Sequence, residues 1–408
     1  MSPQKANMML NTFFKLLFIL AFGSLSCGPG LLEGEEISDS DETVSTDLLT
    51  AFSTQPTDTD EEMHLCPANT EVDCRENMAI GSDLFPAISA SWVNENAIFS
   101  HFAIDVILGY QTINNETFPF ALQVKFEEVF THTYFNQNAE VHILDEDEPS
   151  AMEWLGVFVK STGILHTDVQ SMAAATDGNR YFLVNVSESP MTILPETELI
   201  TAAVLTDAVY LRNKADFNSP ELERVCLFGE GLFCYDGESW VTEISPDEGF
   251  MVLNIAVSNI NEKPMVFAVG DNNIIFSKYD NIWSTVQLNE TDAPLHEITI
   301  NSSSQYFAAA GDQFLLFGAA DRPIQRCDVP PHILRLNYFY GTETFALLDT
   351  KGQIWTGVLD LFNNGELCRT RNRVEGAIDA LPSGIDYYVL HPEGLYRPDN
   401  SYWEIVAE

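Results

Sequence analysis

A repeated strand-turn-strand pattern constrains the fold of this chain more than any other feature of its sequence. Two short apolar runs flank a turn of small and polar residues in "VCLFGEGLFCYDGESW", in "VFAVGDNNIIFSKYDNIW" and in "YYVLHPEGLYRPDNSYW". The same arrangement recurs in "YFAAAGDQFLLF" and "FALLDTKGQIW", and successive turns lie about 41 residues apart. Each unit therefore has room for four short strands joined by turn residues.

Weaker matches, such as "FLVNVSESPMTIL" and "VHILDEDEPSAMEW", continue the step toward the amino terminus. Eight turns are predicted, near Ile104, Asp147, Glu188, Glu230, Asn272, Asp312, Lys351 and Pro392. Four-stranded units at this period are typical of a β-propeller, in which each blade buries its faces against its neighbours. A solenoid of strands is the alternative architecture for such a repeat.

The two ends of the repeat region favour a closed ring over a solenoid. The last unit offers only two strands, "GLYRP" and "YWEIV", and the region before the first turn offers two more, "AISASWV" and "AIFSHF". Pairing them would complete one unit and remove open sheet edges. We therefore expect an all-β fold, a single β-propeller of seven or eight four-stranded blades over residues 77–408.

The charge of the chain limits what it can bind. Its 61 acidic and 19 basic residues give a formal net charge of -42, while 45% of the residues are hydrophobic and can form a large core. Nucleic acids and anionic membrane surfaces bind clustered Lys and Arg, which this chain lacks, so we expect no nucleic-acid partner. The acidity itself fits a saline habitat as well as a role in binding cations.

The amino terminus is typical of an exported protein. Lys5 and Lys15 precede the apolar run "LLFILAFG", and the small residues of "GSLSCGPG" follow. This is the pattern of a secretory signal peptide, over residues 1–26, and it is too short for a membrane-spanning helix. It resembles a bacterial lipoprotein signal, which implies lipid attachment at Cys27. Ser24 departs from the large aliphatic residue of that pattern, and cleavage after Ser26 without lipidation is the alternative.

Residues 27–76 are predicted to be a disordered tether. Between Gly28 and Leu65 the chain has many acidic residues, no Lys or Arg, and mostly Ser, Thr and Gly in between. Low hydrophobicity with charge of one sign does not repay the entropy of ordering. The tether would separate the propeller from a membrane, at the cell envelope or the outer-membrane surface, unless the protein is freely secreted.

Six cysteines remain when Cys27 is set aside, which suits an oxidising compartment. Cys226 and Cys234 stand symmetrically about the turn of "CLFGEGLFC", where opposed strand positions come within bonding distance, so we predict a disulfide. Cys66 and Cys74 could close a small loop at the end of the tether. The pairing of Cys327 and Cys368 stays open, since the two could occupy the same position in successive repeats.

The Val-Gly-Asp turn, followed by Asp-Gly or Asp-Asn and then Trp, resembles the Asp-box repeats of exported bacterial β-propellers. "DGESW" and "DNSYW" carry the resemblance, "YDNIW" is a shorter form, and the middle units lack it. In these turns Asp236, Asp280 and Asp399 are expected to cap their own backbone amides. The recurring Trp240, Trp283 and Trp403 are expected to pack between blades.

Some Asp-box propellers are sialidases, but "DRPI" is not the arginine element expected of that family. No nucleophile elbow, phosphate loop or dinucleotide motif is present, the histidines lack metal-ligand spacing, and we expect no cofactor. "DEDEP", 145–149, is the densest acidic cluster and leaves a metal site undetermined. We therefore predict a non-enzymatic binding scaffold with a protein, neutral or cationic partner; the alternative is a glycan hydrolase with two paired carboxylates.

Overall fold

The computed structural model describes most of the region expected to form the propeller, residues 84–398. The stretches within it that are not described are 95, 104–105, 125, 130–131, 136–139, 145–150, 163–167, 214–221, 261–262, 272–273, 280–281, 288–294, 301–305, 313, 320–321, 329–331, 340–343, 359–367 and 384–385. The expected signal peptide and tether, with Cys27, Cys66 and Cys74, lie outside the described residues, as does the acidic cluster 145–149. All described residues belong to one structural unit, Thr43–Glu408.

The described backbone is almost entirely β-structure, with short 3-10 helices at Ala90–Trp92 and Pro246–Glu248. The first fifteen strands are β1 (Leu84–Ser89), β2 (Ile98–Ala103), β3 (Val106–Ile113), β4 (Glu116–Gln123), β5 (Phe126–Val129), β6 (His132–Phe135), β7 (Glu140–Ile143), β8 (Glu153–Thr162), β9 (Asp168–Thr176), β10 (Arg180–Asn185), β11 (Thr192–Ile200), β12 (Leu205–Asn213), β13 (Leu222–Gly229), β14 (Gly231–Tyr235) and β15 (Trp240–Ile244).

The remaining fifteen strands lie in the part of the chain where the repeat is regular. They are β16 (Val252–Ile260), β17 (Lys263–Gly270), β18 (Ile274–Tyr279), β19 (Ile282–Gln287), β20 (Glu297–Ile300), β21 (Tyr306–Ala310), β22 (Phe314–Ala319), β23 (Arg322–Asp328), β24 (Ile333–Phe339), β25 (Thr344–Asp349), β26 (Gln353–Val358), β27 (Cys368–Arg373), β28 (Asp379–Ser383), β29 (Asp386–His391) and β30 (Gly394–Pro398).

These strands form seven four-stranded antiparallel sheets, with β5 and β6 as a separate hairpin. Six sheets follow chain order from the innermost strand outward: β2-β3-β4-β7, β8 to β11, β12 to β15, β16 to β19, β20 to β23 and β24 to β27. The seventh has the order β1-β30-β29-β28. Each innermost strand contacts the next, from β2 through β8, β12, β16, β20 and β24 to β28, and β2 contacts β29. The sheets therefore close a ring, which is a β-propeller.

Apolar side chains between neighbouring sheets form the core of the ring. One cluster joins the closing sheet to the next through Ile88, Phe99 and Phe120, all at most 1% exposed. Another joins the β2-β3-β4-β7 sheet to the sheet of β8 to β11 through Trp154, whose indole Nε1 donates to the carbonyl of Gly109 at 3.2 Å. Burial of both faces of each sheet explains why the strands read as nearly continuous apolar runs.

The ring closes through its two ends, as expected, but with three strands from one end and one from the other. β1 pairs antiparallel with β30, from Leu84 opposite Pro398 to Ser89 opposite Gly394. The expected strand "AISASWV" is cut short because a 3-10 helix begins at Ala90. "AIFSHF" instead coincides with β2, the innermost strand of the next sheet, and "YWEIV" lies outside the described residues.

The predicted turns are correct in the last five sheets of the ring. Glu230, Lys351 and Pro392 each lie between the second and third strands of a sheet. Asp312 lies at the equivalent place, and Asn272 falls in an undescribed stretch between β17 and β18. The step of about 41 residues therefore describes these five sheets.

The same step is wrong in the first two sheets of the ring. Their second-to-third strand turns are at Asn114–Asn115, where both residues have positive φ, and at 177–179. Glu188 lies one turn later, between β10 and β11, while Ile104 and Asp147 fall in undescribed stretches before β3 and before β8. The additional β5–β6 hairpin and the bulged, nine-residue β11 lengthen these units beyond the regular period.

The predicted disulfide is confirmed. Cys226 on β13 and Cys234 on β14 are directly opposed, with Cα atoms 4.1 Å apart and a bonded S–S distance of 2.00 Å. Cys327 and Cys368 lie in the outermost strands of successive sheets but not at one repeat position. Cys327 is opposite Leu315, the second residue of β22, whereas Cys368 is opposite Thr356, the fourth residue of β26.

Candidate functional site

One position near the start of the innermost strands gathers polar side chains at the axis of the ring. In five sheets the pairing register with the second strand shifts just before this position, as at a β-bulge. A bulge re-aims the side chain that follows it. The residues at this axial position are His101, Gly156, Asp207, Asn254, Glu297, Arg335 and Asp379.

Arg335 is the basic centre of this axial cluster. Its Nη1 lies 3.4 Å from Oε1 of Glu297, and Nδ2 of Asn254 donates to Oε2 of the same carboxyl group at 2.7 Å. Arg335 also interacts electrostatically with Asp207 and Asp379. Its side chain keeps 45% of its surface exposed, whereas that of Glu297 keeps 7%. The cluster therefore has a buried carboxyl group behind a guanidinium that meets solvent.

Burial governs the titration of the acidic side chains. It raises the pKa of Glu297 to about 8, which Arg335 opposes without cancelling. Burial also raises the pKa of Asp207 to about 6. The backbone N–H of Ala208 and the charge of Arg335 lower this pKa by less, and Asp379 raises it slightly. The pKa of Asp379 is raised by burial as well. A carboxyl group moved out of water without a dedicated counter-ion favours its neutral form.

His101, on β2, adds an uncharged imidazole to the cluster. Burial, followed by the positive charge of Arg335, lowers the pKa of His101 to about 4, so its imidazole is neutral at neutral pH. Its Nδ1 lies 2.9 Å from the hydroxyl of Ser100. A neutral ring suits a position that already faces a guanidinium.

Three axial side chains are fixed by the same local hydrogen bond. Oδ1 of Asp207, Asn254 and Asp379 accepts the backbone N–H of the following residue, at 2.7, 2.6 and 2.7 Å respectively. Asn337, two residues beyond Arg335, adds a link between sheets, because its Nδ2 donates to Asp379 Oδ1 and to Ala380 O at 2.8 Å each. The polar groups therefore have set orientations at the axis.

Gly156 is the axial residue without a side chain, and packing explains it. A Cβ at this position would lie 2.9 Å from the carbonyl oxygen of Ala208 and 3.3 Å from its Cβ. β8 and β12 therefore approach each other too closely for any larger residue there.

A cavity of about 540 Å³ lies beside the cluster, between the innermost strands. Asp207, Asn254 and Asn337 line it together with Tyr210 and Thr299, and the other lining side chains are apolar. Cavities of about 300–1,000 Å³ that combine apolar walls with a few fixed polar groups are typical of small-molecule sites. Asp207 is the only ionisable carboxyl group among the described lining residues.

The site residues predicted in the Asp-box-like turns are structural where they are described. Oδ1 of Asp236 accepts the N–H groups of Glu238 and Ser239, at 3.0 and 2.9 Å, and these bonds lower its pKa. Trp240 packs on Tyr235, and its Nε1 donates to Thr197 O in the preceding sheet at 2.8 Å. Nothing is described of Asp280, Asp399 or Trp403, nor of the side chain of Trp283.

Sequence reasoning missed the axial cluster because it searched for motifs with short spacing. The signal is instead one residue per repeat, polar in all repeats but that of Gly156, placed two positions after an apolar residue near the start of the innermost strand, as in "LTDA", "VLNI" and "ILRL". Aligning the repeats by their first strands, rather than by their turns, would have placed these residues in one ring.

Neither a metal site nor a membrane span is found among the residues that the structure describes. No three His, Cys, Asp or Glu side chains in the described ranges gather as metal ligands. No helix in those ranges is long and apolar enough to cross a membrane.

No protein-family model matches the chain, and no curated protein matches it. Solved propeller structures resemble it in fold only. A chain in the crystal structure of the Mitotic Checkpoint Complex is 11% identical, with a TM-score of 0.50, covering 92% of this chain and 99% of that one. Saccharomyces cerevisiae Sqt1 is 11% identical, with a TM-score of 0.49, covering 78% and 97%. BBS1N, in complex with ARL6DN, is 11% identical, with a TM-score of 0.47, covering 74% and 90%.

Proposed function

We propose that this chain is an exported β-propeller that binds a protein partner and catalyses no reaction. In the same proposal a lipid on Cys27 anchors it at the cell envelope, residues 27–76 are the tether, and its turns are degenerate Asp-box repeats. The proposal counts one blade for each four-stranded sheet, seven in all. A propeller suits such a role because every blade contributes loops to one broad surface.

The observation that carries the proposal is where the exposed apolar residues lie. The innermost strands begin on one side of the ring, which we call the upper face. The turns between second and third strands lie on the same side, because successive strands are antiparallel. Of the large apolar residues exposed in the described ranges, four lie there: Ile98, Ile113, Ile200 and Val204, at 55, 39, 66 and 56% exposure.

Exposed acidic side chains also lie on the upper face. Glu230 is exposed, and its Oε2 accepts the backbone N–H of Val204 at 2.9 Å, so a carboxylate lies directly beside the apolar surface. Glu393 is exposed in another turn of the same face. The surface therefore favours a partner with an apolar centre and a basic rim.

The test is capture of partners from envelope extracts with the natural protein and two variants. We expect a protein captured by the natural chain to be lost with Ile200→Asp/Val204→Asp, which adds charge to the upper face. Val241→Asp is the matched control, because Val241 is 38% exposed near the start of β15, on the opposite side of the ring. Equal capture by all three proteins contradicts the proposed surface.

The same preparations are incubated with a panel of glycans. Turnover of any glycan that Asp379→Asn abolishes would show a hydrolase and replace the scaffold role. Mass spectrometry of the native amino terminus separately tests the anchor, with a diacylglyceryl group on Cys27 expected. An unmodified Cys27 terminus would indicate a freely secreted protein, and an uncleaved one would exclude export.

A further inference from the structure

We propose that the axial cavity binds a small organic cation, a primary ammonium group on a short apolar body, with Asp207 as its counter-ion. This site is separate from the upper-face surface and goes beyond the scaffold role. It is formed by the innermost strands and not by the exposed turns.

The first argument is the set of partners of the three axial carboxyl groups. Three carboxyl groups, on Asp207, Glu297 and Asp379, share one guanidinium, that of Arg335. That guanidinium contacts Glu297 directly, and Asn337 donates to Asp379. Asp207 accepts only the backbone N–H of Ala208 among the described residues. Its second carboxylate oxygen is therefore available for a donor that enters the cavity.

The second argument is the shape and lining of the cavity. Its volume of about 540 Å³ accommodates a small molecule. Beyond Asp207 the walls are mainly aliphatic, from residues such as Val209, Ile255 and Ile298, with the ring of Tyr210 among them. An ammonium group at Asp207 would place an attached apolar body along these walls, where its burial is favourable.

The third argument distinguishes an organic cation from a metal ion. A divalent metal ion needs several oxygen ligands at once. No three His, Cys, Asp or Glu side chains gather in this way in the described part of the chain. Asp207 thus presents a single carboxylate, and the neutral side chains of Asn254 and Asn337 line the same cavity. One carboxylate with neutral polar neighbours matches the single charge and three donors of an ammonium group.

The test uses phenethylammonium as the probe and calorimetric titration of the mature chain as the measurement. Its controls are 2-phenylethanol and 3-phenylpropionate, which have a similar apolar body with no charge or with a negative charge. We expect phenethylammonium to bind and the other two compounds to bind at least about 10-fold more weakly. Binding of 3-phenylpropionate in preference would assign the site to Arg335 and overturn the proposal, as would binding by none of the three.

Asp207→Asn keeps the shape of the side chain and its acceptor for the N–H of Ala208 but removes the charge. We expect it to weaken phenethylammonium binding about 10-fold or more. Asp247→Asn is the charge-matched control, because Asp247 is exposed on the 3-10 helix after β15. Equal affinity of Asp207→Asn and the natural chain would overturn the proposal.

A titration of the natural chain keeps the proposal testable if Asp207→Asn does not fold. Because the pKa of Asp207 is about 6, affinity should fall as the pH drops through that value and the carboxylate is neutralised. The other groups facing the site are Arg335, Glu297, Asp379 and His101, and the protonation of His101 near pH 4 adds repulsion only at still lower pH. An affinity independent of pH would overturn the proposal. Ile200→Asp/Val204→Asp should leave probe binding unchanged, which separates this site from the protein-binding surface.

Discussion

At the scale of single residues, the side chain of Asp349 accepts three hydrogen bonds from residues that follow it closely in the chain, and no sequence motif indicated them. It is 1% exposed at the end of β25. Oδ1 accepts the N–H groups of Lys351 and Gln353 at 2.8 and 2.9 Å, and Oδ2 accepts Nε1–H of Trp355 at 3.1 Å. The turn was predictable from "DTKGQIW", but the burial of this carboxylate was not, because it depends on how neighbouring sheets cover the turn.

Asp349→Asn should destabilise the protein by about 1–3 kcal/mol, because an amide NH2 would face the indole N–H and leave a buried donor unsatisfied. Chemical denaturation measures the free energy of unfolding. Asp312→Asn is the control, since Asp312 is exposed in the corresponding turn of the preceding sheet, and its effect should stay within about 0.5 kcal/mol. A loss as small for Asp349→Asn would show that the buried hydrogen bonds contribute little.

At the scale of elements, the sequence predicted the sheets best where each unit had one uniform length. From β12 onward the turns at Glu230, Lys351 and Pro392 keep one step, and the directly opposed Cys226 and Cys234 could be placed from it. Before β12 the inserted β5–β6 hairpin is invisible to a periodic search, because it adds residues without changing the local alternation of apolar and polar residues. The axial cluster was not predicted for a related reason. Its residues lie close together in space but are separated by a whole repeat in the sequence.

Burial of Glu297, the first residue of β20, makes the stability of the ring depend on pH. Glu297 has a pKa of about 8 in the folded protein against 4.5 as its ordinary value, so folding favours the protonated carboxyl group. Protonated Glu297 makes its full contribution to the free energy of unfolding below the pKa that it has in the unfolded chain. This contribution is lost as the pH rises through about 8. From about pH 6.5 to 8.5 the free energy of unfolding should fall by about 2 kcal/mol.

Glu297→Gln should flatten this decrease, because the amide does not titrate. Thermal melting at several pH values measures it, and Glu238→Gln, at an exposed residue between β14 and β15, is the control that should keep the slope of the natural chain. The chosen range lies above the pKa of about 6 of Asp207 and the ordinary 6.5 of His101, so neither adds a large change. An unchanged slope in Glu297→Gln would mean that Glu297 is ionised in the folded protein.

At the scale of the whole molecule, the repeat predicted a closed ring, but not which strands close it. β30 lies between β29 and β1, so its outer edge is satisfied only by the amino-terminal strand. Five pairs join β1 to β30, and Ile88 is 1% exposed in the core beside Phe99 and Leu395. The sequence could not decide this, because "LFPAIS" and "AISASWV" overlap and both read as a strand.

Removing β1 should therefore open the ring. A chain of residues 90–408 should lose at least about 3 kcal/mol relative to a chain of residues 77–408, since the loss of Ile88 alone leaves a core cavity. A synthetic peptide of residues 77–89 should bind the shortened chain and restore its melting temperature, because it can add back the missing strand at the free edge of β30. The same peptide with Ile88→Asp is the control and should not restore it. Calorimetric melting that is identical for the two chains would show that the ring is held closed without β1.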